Sequence, residues 1–154
     1  MPGFVTTSET ARPPDETFDF MVDLSRWSTF RGFGPVPGIV RAELVEGASI
    51  GQGSRVRVVN TDDSVHHEVI VRFERGRHLG LRMELSPPAS YVLDGIDETV
   101  ELTPSGRGTR VERRFELRAR SRLTAPVAWL VRRMLRRAVE AHDRAVVAAL
   151  AGSR

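Results

Sequence analysis

A chain of 154 residues with 40% hydrophobic and 28% charged side chains has the length and make-up of one globular unit with a single core. It holds no cysteine, which excludes disulfides, thiolate chemistry and cysteine-ligated zinc and fits a reducing cytoplasm. The pI of about 10.7 reflects arginine as the sole basic residue; a net charge of only +3 argues against a nucleic-acid binder, which concentrates charge on one face.

Residues 1–7 show no cationic region leading into an apolar run, so no signal peptide is expected. Phe4 to Thr10 reads as a strand rich in β-favouring Val5, Thr6 and Thr7. Arg12-Pro13-Pro14-Asp15-Glu16 stops it and opens a helix, since proline suits a first turn and acids suit the positive end of the dipole. Phe18, Met21 and Val22 recur at helical spacing, and a second short turn, Leu24 to Phe30, carries Trp27 and Phe30. Gly32 to Gly38, with Pro35 and Pro37, predicts a stiff loop.

From Ile39 to about Arg120 the apolar period becomes two. Strands are expected at Ile39–Glu46, Ser54–Asn60, Val65–Glu74, His78–Ser86, Ile96–Thr103 and Thr109–Arg120, divided by glycine, proline and aspartate clusters. Joined in series by short turns, they predict an antiparallel meander. A helix from Leu123 to Ala151 closes the chain, with Pro126 in its first turn and Gly152 past its end. Its expected buried stripe is Val127, Leu130, Val131, Met134, Ala138, Ala141, Ala145 and Ala149. Arg132, Arg133, Arg136, Glu140, Asp143 and Arg144 take the opposite face. No apolar stretch approaches the roughly 20 residues that span a bilayer.

Several short motifs, in this order, resemble the SRPBCC superfamily, which includes START lipid-transfer domains and polyketide cyclase/dehydrase-like proteins. Residues Pro13 to Phe18 look like its first helix entry, and Met21-Val22-Asp23 with Trp27 like the aromatic turn that follows. Gly51 to Val56 resembles a glycine hairpin between its strands. Val71 to Arg75 with Leu79 resembles a later turn, with Gly76 where proline is common, and Gly108 to Val111 the opening of its last strand. The resemblance implies an α+β helix-grip fold over residues 1–154, a curved antiparallel sheet of about seven strands (β-α-α-β6-α) around the long C-terminal helix. It also implies a cavity between them. It implies no one reaction, so function rests on the cavity lining.

Alternation assigns that lining. Val56, Val58 and Asn60 are expected to face inward, as are Leu79, Leu81, Met83 and Leu85. So are Val65, His67, Val69, Val71 and Phe73, then Ile96, Glu98, Val100 and Leu102, and Val111, Arg113, Phe115 and Leu117. Three titratable groups thereby fall on apolar faces: His67, Glu98 and Arg113. Burying a lone charge is costly, so each should pair or meet ligand or water. Glu98 and Arg113 are either a structural ion pair across a hairpin or a polar handle for a ligand. His67 either reaches solvent or faces the cavity. The adjacent His66 and His67 point to opposite faces, so no metal site is expected. His142 sits at the edge of the helix stripe, within reach of the cavity.

Trp27, Phe30 and Phe33 could form an apolar gate or simple core, and Tyr91 could stand at the cavity mouth or pack on the nearby prolines. Trp129 is either covered by the Pro35/Pro37 loop or exposed for a partner. The arginines at 132, 133, 136 and 137 form a solvated band or a weak anionic-membrane site. The expected ligand contacts are Trp27, Phe30, Phe33, Val58, His67, Val69, Leu81, Met83, Glu98, Arg113, Met134, Ala138 and His142.

The main expectation is a cytoplasmic binder of a hydrophobic small molecule, lipid-like or polyketide-like. It needs no cofactor or nucleic acid, touches membrane at most peripherally, and could be a homodimer. The alternative is a cyclase/aromatase-type enzyme, with His67 or Glu98 as base, Arg113 as enolate partner and Tyr91 as acid. A ligand-free interaction module is the third class. No nucleotide-binding glycine loop or Gly-x-Ser-x-Gly elbow occurs.

Overall fold

The computed structural model describes residues 2–152; Met1, Ser153 and Arg154, part of the 1–154 domain expectation, lie outside them. In chain order the elements are β1 (Gly3–Thr10), α1 (Pro14–Val22), a 3-10 helix (Leu24–Thr29), β2 (Gly32–Phe33), β3 (Val36–Pro37), β4 (Ile39–Leu44) and β5 (Arg55–Asn60). Then come β6 (Val65–Glu74), β7 (His78–Glu84), a 3-10 turn (Ala89–Tyr91), β8 (Leu93–Ser105), β9 (Gly108–Ala119) and α2 (Ala125–Gly152). Seven strands form one curved antiparallel sheet in the order β1-β9-β8-β7-β6-β5-β4. Each meander strand pairs with its sequence neighbour, and β1 returns to flank β9. The result is the helix-grip α+β fold.

The expected loop at Gly32–Gly38 is instead a small hairpin, β2 against β3. Gly32 adopts φ 76°, and a Cβ there would strike the backbone of Val36 and Pro37, so only glycine closes this turn. Gly76 is favoured by its backbone. It joins β6 to β7 at φ 76°, a conformation that strains other residues, and lies against the Asp15 side chain of α1. The neighbouring Arg75 clamps α1 here, donating to Asp19 from Nε at 2.9 Å and Nη2 at 2.7 Å. The helix entry and the turn, distant in sequence, are thus one joint.

Two apolar clusters make the core. In one, Phe4, Leu93, Ile96, Phe115 and Leu117 of the sheet pack on Ala128, Leu135 and Val139 of α2. Phe4 and Phe115 stack there at 4.9 Å between ring centroids. In the other, Phe18 and Val22 of α1 pack on Ile70, Leu79, Leu81, Val100, Leu102 and Val111. Burying a side chain of this size contributes roughly 1.5–3 kcal/mol.

Two expected phases are corrected. In β6, His66, Glu68 and Ile70 point inward, while Val65, His67, Val69 and Val71 take the outer face. Residues directly opposite on paired strands share a face. Val58 pairs with His66 and Val56 with Glu68, so inward valines on β5 force these polar residues inward on β6. A bulge between Ile70 and Arg72 then shifts the phase. Phe73 consequently turns inward and meets Phe18 edge-on at 5.0 Å.

The buried stripe of α2 is likewise rotated by about 100°, one residue's turn. Ala128, Leu135, Ala138, Val139, Asp143, Val146 and Leu150 are buried, whereas Val127, Leu130, Ala141 and Ala145 are exposed. Leucine and valine bury more area than the alanines of the expected stripe. The rotation also carries Asp143 off the solvent face and into the core.

Candidate functional site

A cavity of about 420 Å³ lies between the sheet, α2 and the segments before β4, within the range of small-molecule sites. Its walls come from both core clusters: Leu79, Leu81 and Val100 on one side, Leu93, Ile96, Phe115 and Leu135 on the other. Trp27 and Phe30 close it from the 3-10 segment, with Pro35–Pro37 and Pro87–Ala89 at its margin. Trp27 is held in place by its indole N–H, which donates to the Met21 carbonyl at 3.0 Å.

Of the residues expected to line it, Trp27, Phe30, Leu81, Met83, Glu98, Arg113, Met134 and His142 do so. Val58 and Ala138 are buried but do not reach the cavity. His67 and Val69 lie on the outer face of β6, and Phe33 and Tyr91 are turned to solvent, Tyr91 at 67% exposure. Trp129 is not covered by the β2–β3 hairpin; its indole is exposed.

Polar groups converge at one pole of the cavity. Glu98 sits opposite Phe115, and Arg113 opposite Val100, so the two are diagonal partners on the inner face of the β8–β9 hairpin. Arg113 Nε donates to Glu98 Oε2 at 2.8 Å, and its Nη1 donates to Asp143 Oδ1 at 2.8 Å and to His142 Nδ1 at 2.9 Å. Among the described residues, no protein group accepts a hydrogen bond from Arg113 Nη2. That leaves the two N–H groups of this one nitrogen for the cavity, which Arg113 lines.

An arginine can only donate, so Nδ1 of His142 is an acceptor and its proton resides on Nε2. From there the ring donates to Thr29 Oγ1 at 3.1 Å and meets Phe30 edge-on at 5.6 Å. Burial, helped by the adjacent Arg113 charge, lowers the His142 pKa to about 3. The ring is therefore neutral, and both its nitrogens are engaged.

A second polar string leads in from β5 and β6. Asn60 Nδ2 donates to His66 Nδ1 at 2.9 Å, and His66 Nε2 reaches Glu68 Oε2 at 3.0 Å. Glu68, Glu98 and Asp143 are all buried, and Arg113 is the one buried cation among the described residues. Burial pushes the Glu98 pKa up; the Arg113 charge and hydrogen bond oppose this, while Glu68 and Asp143 add to it. Burial alone would lower the Arg113 pKa, but the carboxylates outweigh it and hold the guanidinium charged. The pole is thus a permanent cation within an excess of acid.

Sequence reasoning turned Asn60 inward but missed His66, Glu68 and Asp143 as members of this pole. The first two were available from the strand register: placing Val56 and Val58 inward commits their partners. No local signal marked Asp143, because its burial depends on Arg113, which lies 30 residues earlier.

A cavity gripped between a curved meander and a long C-terminal helix, with polar groups gathered at one pole, defines the class of helix-grip ligand-cavity proteins. The sequence matches the polyketide cyclase / dehydrase and lipid transport family over residues 1–152, and the chain belongs to that family. A START superfamily protein from Mycobacterium smegmatis is similar in structure, with TM-score 0.72 at 11% identity, over 96% of each chain. The di-domain ARO/CYC StfQ from the steffimycin biosynthetic pathway gives TM-score 0.72 at 14% identity, over 96% of this chain and 50% of that one. Ara h 8.0201 gives TM-score 0.67 at 17% identity, over 96% and 98%. At these identities the likeness is one of fold. No curated protein matches the chain by sequence.

Proposed function

We propose that the chain, acting as one cytoplasmic domain, binds a hydrophobic small molecule, lipid-like or polyketide-like, with its single polar group at the Arg113 pole. The observation that carries this reading is a largely apolar cavity of about 420 Å³ whose buried charges gather at one end. Such a lining takes up apolar area on all sides and fixes orientation through a few polar contacts.

The charge balance narrows the ligand. Three buried carboxylates face one guanidinium already bonded to two of them. A ligand carboxylate would add like charge in a low-dielectric site. A neutral carbonyl or hydroxyl meets no such repulsion and matches the donor at Arg113 Nη2. Titration of the protein with a long-chain alcohol and the fatty acid of equal length, each displacing a polycyclic aromatic fluorophore, tests this. The alcohol should bind about tenfold more tightly or better, corresponding to about 1.4 kcal/mol. Tighter binding of the acid would reverse the reading of the pole, and no binding of any probe would leave a ligand-free interaction module.

One observation favours a second reading, catalysis of the cyclase/aromatase type. The raised pKa of Glu98 beside a fixed cation suits a general acid at a carbonyl whose enolate Arg113 stabilises. The other expected participants do not support it, since His67 and Tyr91 lie off the cavity; nor can His142 stand in for them, because it has no free lone pair. Binding is therefore the stronger reading. Product analysis after incubation with a poly-β-carbonyl substrate separates the two, and recovery of unchanged substrate retains binding alone.

A further inference from the structure

The N-terminal half of α2 and the connection leading to it expose apolar side chains that a soluble helix ordinarily buries. Leu123 is 92% exposed, Leu130 55%, Trp129 54% and Val127 45%. Val127 and Leu130 lie three apart on the outer face, and Arg133 and Arg137 continue that face at the next turns. Arg132 stacks over Trp129 at 5.3 Å, and Arg137 over the exposed Phe33 of the β2–β3 hairpin at 5.5 Å.

Charge is segregated just as sharply. Residues 117–139 contain seven arginines and no aspartate or glutamate, whereas the rest of the chain has 16 arginines against 20 acids. Arg122, Arg133 and Arg137 have no carboxylate partner among the described residues. Exposed leucine, valine and tryptophan ringed by unpaired arginine match the pattern of a helix lying in an anionic bilayer interface, apolar groups in the acyl boundary and cations at headgroups. A two-fold contact with a second copy would instead set the same uncompensated arginines against each other. Nucleic acid gives the exposed leucines and valine nothing to bury against.

This face also borders the cavity. Val131 and Met134, on neighbouring turns of α2, line it beside Pro35–Pro37. We propose that the face formed by Leu123, Val127, Trp129 and Leu130 with Arg133 and Arg137 docks on anionic phospholipid bilayers, holding the cavity margin against the membrane. No helix of the described residues is long and apolar enough to cross a bilayer, so the contact is a surface one.

Sedimentation of the full chain with vesicles tests this, using phosphatidylcholine alone and phosphatidylcholine with about one third phosphatidylglycerol. The expected result is partition onto the anionic vesicles only, weakened by salt, with a blue shift in tryptophan emission that Trp129→Phe abolishes. Arg133→Gln should weaken partition about fivefold, and Leu130→Ser about tenfold or more. Absence of binding, equal binding to both vesicles, or partition indifferent to both variants would overturn the proposal. So would a concentration-dependent dimer broken by Leu130→Ser, which would assign the face to a second copy. Retention of an oligonucleotide in place of vesicles, unaffected by Leu130→Ser, would give the arginines to nucleic acid.

Discussion

The two halves of α2 treat polarity in opposite ways. Its N-terminal half turns Val127, Trp129 and Leu130 to solvent, whereas its C-terminal half buries Asp143 and much of His142. The sheet beneath accounts for the second half. Arg113 projects from β9 as a buried cation, and the helix that covers it supplies a carboxylate and an imidazole acceptor at adjacent positions. No buried charge of the sheet lies opposite the first half; Arg132 Nε donates to the Gly3 carbonyl of β1 at 2.5 Å, and Ala128, Leu135 and Val139 pack it down. A helix stripe is therefore chosen by what lies opposite, with the helix's own hydrophobic pattern as one input among two.

Equilibrium unfolding can break this comparison. The largest effect is expected for Arg113→Ala, which strands Glu98 and Asp143 without their cation. Removing one side of a buried ion cluster costs about 3–5 kcal/mol, read as a fall in the urea midpoint at pH 7. A loss below about 1 kcal/mol would mean that the pole is solvated and does not hold the C-terminal half of α2 in place.

The second effect is an acid limb. The His142 pKa in the fold, about 3, lies below its ordinary 6.5, so the fold favours the neutral ring. That stabilisation is complete above about pH 6.5 and drains as pH falls toward 3, with a slope approaching about 1.4 kcal/mol per pH unit. His142→Gln keeps an acceptor for Arg113 but cannot titrate. Its stability should fall less steeply than wild type between pH 6.5 and pH 4 in parallel urea titrations at each pH; identical limbs would remove His142 from the pole's electrostatics.

The smallest effect sharpens the contrast at the other end. Leu130→Ser should change the thermal midpoint little, within about 0.5 kcal/mol of stability, as expected for an exposed site. A loss of 2 kcal/mol or more would show that Leu130 is packed and that the two halves of the helix are alike.

Much of the architecture was legible. The two prolines and two acids before Phe18 marked the start of α1, and period-two runs divided by glycine marked all the long strands. The strand ends were less so: β4 and β7 stop two residues early, at Leu44 and Glu84, and β8 begins at Leu93. The inner faces of β7, β8 and β9 were readable because apolar and charged residues alternate cleanly there. Glu98 and Arg113 stood out on those faces for the same reason. In β6 the alternation is deceptive. Its valines favour one phase, and the polar residues that belong to the cavity occupy the other, so only pairing with β5 resolves it.

Local chemistry by itself determined the order of elements, the turns and the presence of an ionisable pair on the β8–β9 hairpin, because these depend on residues near one another in the chain. Contacts between elements decided which face of β6 and of α2 looks inward, through pairing with β5 for the strand and through Arg113 for the helix. A strand or helix with two serviceable stripes buries the one its neighbours complement. Here those neighbours are Val56, Val58 and Arg113, none of which lies in the element it turns.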